Sequence, residues 1–189
     1  MRVISGTAKG RKLKAVPGDA TRPVTDRVKE AVFDILAGSV RGARFLDLFA
    51  GTGGVGIEAL SRGARQAFFV ERARPALDTI RANLEHTRLG ERARILHTDA
   101  FAFLKGAPQP FDYIYVAPPQ YRDLWLETLR LLDAQPGWLA AGGEIIVQID
   151  PRESRPVELQ HFEPIDERRY GSTLVLFYAH RESDADVRG

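Results

Sequence analysis

From Arg44 to Ile149 the chain alternates short apolar runs with stretches whose apolar residues recur at helical spacing. Arg44–Phe49, Gln66–Glu71, Ala93–His97, Phe111–Val116 and Glu144–Ile149 read as strands, and Val55–Leu60, Pro75–His86, Ala100–Lys105 and Leu124–Asp133 as the helices between them. Strands apolar along their length need cover on both faces, and a helix between successive strands makes them parallel. The pattern predicts an α/β fold with a doubly wound, mostly parallel sheet. Two further β-rich runs, Val157–Ile165 and Thr173–Tyr178, flank Gly171 and predict an antiparallel C-terminal hairpin, for seven strands in all. Ahead of the alternation, Val28, Ala31, Val32, Ile35 and Leu36 share one face of a helix over 26–36, with Thr25 or Asp26 as its N-cap and Gly38 just past its end.

Residues 1–25 read as a basic extension holding a small β-hairpin, residues 26–180 as the α/β domain and residues 181–189 as a disordered tail. The formal net charge is +2, but residues 1–30 carry eight Lys or Arg against three acids. Concentrated positive charge at one end of a slightly acidic body points to a polyanion contact. Arg2, Lys9, Arg11, Lys12, Lys14, Arg22 and Arg27 are its candidates. The chain has no cysteine, which excludes disulfides, thiolate metal sites and thiol nucleophiles. The basic N-terminus lacks the apolar stretch of a secretory signal, and no run is long enough to span a membrane. The four histidines show no ligand spacing, so no metal is expected. The reading is of a cytoplasmic protein, expected to be a monomer.

Asp47-Leu-Phe-Ala-Gly51-Thr-Gly53-Gly54-Val-Gly56 lies at a strand-to-helix junction. Glycines there allow a sharp turn and close approach of a ligand to the backbone. Glu71 follows Gly51 at the ~20-residue offset at which an acid accepts hydrogen bonds from ribose hydroxyls. Together these predict a nucleoside-bearing ligand. Asp47 would repel a pyrophosphate but suits a cationic end, which favours S-adenosylmethionine with its ammonium and sulfonium. Asp99, after the third strand, is placed to accept from an adenine amine or to cap the helix behind it.

Tyr115-Val-Ala117-Pro118-Pro119-Gln120-Tyr121 ends the fourth strand. Ligands of open α/β sheets bind beyond the carboxyl ends of strands, so this turn should face the glycine loop. Prolines donate no N–H, which leaves their carbonyls to accept, and an aromatic beside them can stack on a base. Such a turn can hold a planar amine in line with a sulfonium methyl.

Gly10-Arg-Lys-Leu13, Thr21-Arg-Pro-Val-Thr-Asp-Arg-Val-Lys-Glu-Ala31, Asp47–Gly56 and Arg169-Tyr-Gly-Ser-Thr173 resemble, in the same order, segments of the bacterial small-subunit ribosomal RNA guanine-N2 methyltransferases. The resemblance implies a class I, Rossmann-like methyltransferase domain and methylation of one guanine amine in ribosomal RNA, within an assembled or assembling small subunit. By position it implies that Gly51 and Gly53 line the methionine portion of S-adenosylmethionine and Glu71 the ribose. Asp99 and Ala100 then contact the adenine, and Arg22 to Arg27 close the pocket. One departure stands out. The family's tetrad is usually Asp or Asn, Pro, Pro, then Tyr or Phe, whereas this chain has Ala117-Pro118-Pro119-Gln120. Two substitutes present themselves: the Pro118 carbonyl with Gln120 as acceptors, and Tyr121 as the stacking ring. The alternatives are an amine methyltransferase acting on DNA adenine or protein glutamine, and a cofactor-binding ribosome-assembly factor without catalysis.

Overall fold

The apolar runs pair into one seven-stranded sheet of order β3-β2-β1-β4-β5-β7-β6 in the computed structural model, which describes residues 1–18 and 25–182. The strands are β1 (Arg44–Asp47), β2 (Gln66–Glu71), β3 (Ala93–His97), β4 (Phe111–Val116), β5 (Leu139–Ile149), β6 (Phe162–Tyr170) and β7 (Thr173–His180). The helices are α1 (Asp26–Leu36), α2 (Gly54–Ser61), α3 (Arg74–Thr87), α4 (Ala100–Leu104) and α5 (Leu124–Ala134). β1 to β5 are mutually parallel, and β7 runs antiparallel to both β5 and β6. The expected doubly wound sheet with its terminal hairpin is therefore present.

Side-chain alternation sorts the core into two layers. Phe45, Phe69, Tyr115 and Ile146 pack against α1, α2 and α3. Leu46, Val70, Ile114 and Val147 pack against α4 and α5. The chain thus winds outward from β1 to β3 over one face, then crosses and returns through β4 and β5 over the other. Thr25 is the N-cap of α1, its hydroxyl accepting from the Val28 N–H at 3.3 Å.

Two strand boundaries differ from the sequence reading. β5 begins at Leu139, five residues before Glu144, and a register irregularity opposite Phe111–Tyr113 absorbs Gly142 and Gly143. β6 begins at Phe162 and extends to Tyr170, in place of Val157–Ile165. The Gln160 and His161 N–H groups donate to the Asp133 carboxylate at 2.7 and 2.8 Å, which takes them out of the ladder. The hidden half of β6, Asp166-Glu-Arg-Arg169, is charged because it is an exposed edge, where charge discourages pairing with a second sheet. The tail expected to be disordered lies, from residue 183 onward, outside the described residues.

The N-terminal hairpin forms through the Arg2–Lys12 bridge, with Val3 N–H donating to the Arg11 carbonyl at 3.0 Å. Val3, Ala8 and Leu13 are buried in the same layer as α1 and α2, so the hairpin shares their core. Its anchor is Glu58 on α2, fully buried, whose carboxylate accepts from Ile4 N–H (2.8 Å), Ser5 N–H (3.0 Å) and Arg62 Nε (2.9 Å) and lies 3.4 Å from Lys29 Nζ. Burial lowers the pKa of Lys29, while Glu58 pulls it back up. Lys29 also donates to the Arg2 carbonyl.

At the hairpin turn Gly6 has φ +83°, and a Cβ there would meet the Ser61 carbonyl oxygen at 1.9 Å. Gly10 has the same φ but nothing within 4 Å. Both Gly→Ala variants meet backbone strain of roughly 1–3 kcal/mol, and only Gly6→Ala must also push the hairpin off α2. Urea unfolding should show Gly6→Ala clearly less stable than Gly10→Ala. Equal losses would mean the hairpin–α2 contact contributes nothing.

Candidate active site

β1 and β4 lie side by side with Asp47 opposite Tyr115, and the Leu48 N–H donates to the Tyr115 carbonyl at 3.1 Å. The glycine turn after β1 and the Pro118–Pro119 turn after β4 therefore leave the same edge of the sheet next to each other. This is the point where strand order reverses, the usual ligand crevice of such folds. Gly51 and Gly53 have φ +53° and +77°, and a Cβ on Gly51 would point into open space. Gly56 is a glycine for packing, because a Cβ there would lie 2.4 Å from the Phe69 ring.

Three carboxylates support this turn. Asp47 is buried beneath it, and its Oδ2 accepts from the Gly56 N–H at 3.2 Å. Its Oδ1 accepts from no described residue. Burial pushes its pKa up to about 7, opposed by the Gly56 N–H and reinforced by Glu71. Glu71 ends β2, with Oε2 accepting from Gly51 N–H at 3.0 Å and Oε1 from the Arg72 and Ala73 N–H groups at 2.9 and 2.8 Å. Asp99 follows β3 and caps α4, its Oδ1 accepting from Phe101 and Ala102 N–H at 2.9 and 3.3 Å. Its Oδ2 lies 3.8 Å from Arg72 Nη1. Ala100, the first residue of α4, is buried in the core. The Phe49 and Phe101 rings, edge to face at 6.1 Å, bridge the ends of β1 and α4.

At the β4 end, Ala117 and Pro118 are half-buried and Pro119, Gln120 and Tyr121 exposed. Neither the Pro118 carbonyl nor the Gln120 side chain bonds to another described residue. The Tyr121 hydroxyl donates to Asp150 Oδ2 at 2.8 Å, and its N–H donates to Glu153 Oε1 at 2.7 Å. A cavity of about 170 Å³ opens here, with Thr25, Gln120, Tyr121, Gln148 and Asp150 among its walls. Sequence reasoning missed Gln148, Asp150 and Arg152. The rule that found the Pro-Pro turn, ligands beyond the carboxyl ends of strands, applies equally to β5 and would have reached them. Hydrogen bonds from Arg152 and Tyr121 hold the Asp150 pKa well below the usual carboxylate range.

Among the basic candidates, Lys9, Lys12, Lys14 and Arg27 are exposed, and Arg2 is exposed while lying 3.6 Å from Asp26. Arg11 is half-buried and donates to the His86 carbonyl. Arg22 lies outside the described residues. Among the described residues no helix is long and apolar enough to cross a membrane, and no group of three His, Asp or Glu side chains gathers as a metal site.

This strand order, with a glycine turn and offset acids at its carboxyl edge, defines a Rossmann-like methyltransferase fold. The chain belongs to the family described as Conserved hypothetical protein 95, whose model matches residues 1–179. It is similar to Ribosomal RNA small subunit methyltransferase D of Escherichia coli (strain K12), 36% identical over 189 residues and covering 98% of this chain and 94% of that protein. It is also similar to YlbH of Bacillus subtilis (strain 168), 40% identical over 184 residues and covering 96% and 100% respectively. Among solved structures, yhhF from Escherichia coli matches with a TM-score of 0.85 and 35% identity, over 95% of this chain and 97% of that one. These relatives agree with the family resemblance read from the sequence.

The raised pKa of Asp47 fixes a pH dependence. Between about pH 4 and 7 the folded protein keeps a proton that the unfolded chain has lost, so this group erodes stability as pH rises through that window. Asp47→Asn keeps an acceptor for Gly56 without the charge. Its stability relative to the parent should grow by on the order of 2–4 kcal/mol from pH 4 to pH 8, read from denaturant midpoints of the ligand-free protein. A difference that stays constant with pH would contradict the assignment.

Proposed function

We propose that this chain transfers a methyl group from S-adenosylmethionine to the exocyclic N2 amine of a guanine in small-subunit ribosomal RNA. The observation that carries the reading is the adjacency of the glycine turn and the Pro118–Pro119 turn on neighbouring strands, in a chain 36% identical to a protein named for methylation of that RNA.

The residues present fit the cofactor. Gly51 leaves open space above the turn, Glu71 Oε2 and Asp99 Oδ2 each keep acceptor capacity, and Asp47 Oδ1 is free to receive an ammonium. When bound, S-adenosylmethionine supplies an electrophilic methyl group on a sulfonium. The chain's own part is positional and electrostatic. The Pro118 carbonyl, without a partner among the described residues, accepts an N–H of the incoming amine, and the rigid turn keeps the nitrogen lone pair in line. No carboxylate at position 117 shares that task. Because Asp47 must be ionised to pair with the ammonium, cofactor binding should tighten as pH rises through about 7.

The exposed Lys9, Lys12 and Lys14 on a hairpin fixed to α2 supply phosphate contacts for RNA. Ala117 favours one second reading, an assembly factor that binds the cofactor without turnover. Incubating the protein with labelled cofactor, and either naked ribosomal RNA or intact small subunits, separates the two. Label should enter RNA, with more in the particle than in naked RNA, and nuclease mapping should locate it on a guanine N2. Cofactor uptake without label in any RNA would leave the assembly-factor reading standing. Replacing Lys9, Lys12 and Lys14 by Gln should weaken RNA binding and flatten its salt dependence by about two to three phosphate contacts; an unchanged slope would remove the hairpin from the interface.

A further inference from the structure

The chain leaving the N-terminal hairpin and the glycine turn after β1 are both bonded to one side chain of α3. Asn83 lies in the interior of that helix, where asparagine is a poor helix former, and it is fully buried. Its Oδ1 accepts from the Lys14 N–H at 2.7 Å. Its Nδ2 donates to the Lys14 carbonyl at 3.1 Å and to the Thr52 carbonyl at 2.9 Å. Both amide hydrogens and the amide oxygen are engaged, as burial of a primary amide requires. Ionised Asp has the same shape but no donor, and Leu has neither donor nor acceptor, so neither could make this set of bonds.

Thr52 stands between Gly51 and Gly53, both at positive φ. Glycine takes φ of either sign, so the backbone alone does not select one orientation of the Thr52–Gly53 peptide plane. The Gly53 N–H donates to the Ala50 carbonyl at 2.7 Å, a bond made within the turn itself. The carbonyl side of the same plane is held from outside the turn, by Asn83. Ile80, three residues earlier on α3, packs under Gly53, where a Cβ would lie 3.3 Å from its Cγ1. α3 thus fixes the turn both by packing and by a directed bond.

We propose that Asn83 is a positioning residue for the cofactor. Its bond to Thr52 selects the conformation of the glycine turn that receives S-adenosylmethionine, and its two bonds to Lys14 set the segment leaving the hairpin against the same turn. The proposal rests on the methyltransferase reading. Asn83 acts through the Thr52 carbonyl, from within the core. Without that bond the turn divides between two orientations of the peptide plane, and affinity falls with the fraction left competent to bind.

Asn83 is the sole asparagine of the sequence, so 15N labelling at asparagine reports one side-chain NH2. In the ligand-free parent both of its protons should exchange slowly with solvent, and S-adenosylhomocysteine should shift their signals. Asn83→Asp keeps an acceptor for the Lys14 N–H and loses both donors. It should weaken S-adenosylhomocysteine binding about tenfold by calorimetry, and its Gly53 amide signal should broaden or double before ligand is added. Leu84→Ala truncates a buried core residue at the next position of α3. It should lower the denaturant midpoint while keeping the parent's affinity and a single Gly53 signal. An NH2 that exchanges like a free amide, signals unmoved by the ligand, or parent affinity in folded Asn83→Asp would overturn the proposal. An equal loss of affinity in Leu84→Ala would do so too, since it would mark a general loosening of the helix. The NH2 measurement needs no variant, so a substitution that fails to fold leaves the test intact. If the parent itself takes up no S-adenosylhomocysteine, the methyltransferase reading falls together with the proposal; if the parent binds and Asn83→Asp binds equally well, the proposal alone falls.

Discussion

The order of the sheet reverses between β1 and β4, and the site depends on that reversal. Crossovers from β1 cover one face and crossovers from β3 the other, so no helix covers the carboxyl edge where the two directions part. The glycine turn leaves one side of this gap and the proline turn the other. The terminal hairpin belongs to the same logic. β7 runs antiparallel to β5 with Leu174 opposite Ile149, so β7 starts where β5 ends. The bend at Gly171–Thr173 is thereby carried to the carboxyl edge, beside Gln148 and Asp150. A further parallel strand would have brought its amino end to the opposite edge.

Glu58 makes the hairpin part of the site. A buried carboxylate is costly unless its lone pairs are used, and here two hairpin N–H groups, Arg62 and Lys29 use them. Removing one partner from such a buried pair costs ~3–5 kcal/mol, so the hairpin is fastened to α2. α2 is also the helix that opens at the glycine turn. At that opening end Met1 packs against Gly54, where a Cβ would lie 2.6 Å from the Met1 sulfur. The basic residues are thus held in fixed relation to the glycine turn, as the proposed transfer from a sulfonium to RNA requires.

Much of this was legible in the sequence because the signals were local. The apolar alternation specified β1 to β4 and the helices between them, and Gly51, Glu71 and the proline turn marked the crevice by type and spacing. What escaped depends on tertiary contact. The outer half of β6 is charged because it is an edge, and a charged run carries no period that reads as a strand. Lys29 belongs to a segment the family resemblance singled out, yet its ammonium is fully buried against a residue 29 positions away. Asp47 was read as facing the ligand, whereas it is buried and one of its oxygens accepts from Gly56. Gln148 looks like any polar residue in a strand, and its orientation comes from Tyr115 on the neighbouring strand.

The alanine at position 117 changes what the rest of the turn must do. A carboxylate or amide there would accept a proton-bearing amine directly, and a charge-assisted bond of that kind is roughly twice as strong as a neutral one. Without it, the contributions left to the proposed transfer are the Pro118 carbonyl and geometry. Geometry is effective only if the acceptor nitrogen is held close to its reacting position, since small displacements cost large factors in rate. The turn is held rigidly, as the proposed function requires. Tyr121 and Asp123 both take left-handed backbone conformations at about 1–3 kcal/mol each, and such strain persists only where the surroundings enforce it. Glu153 and Asp150 hold Tyr121, and Arg155 pairs with Asp123. The chain thus spends backbone strain on rigidity next to the one tetrad position where it lacks an acceptor side chain.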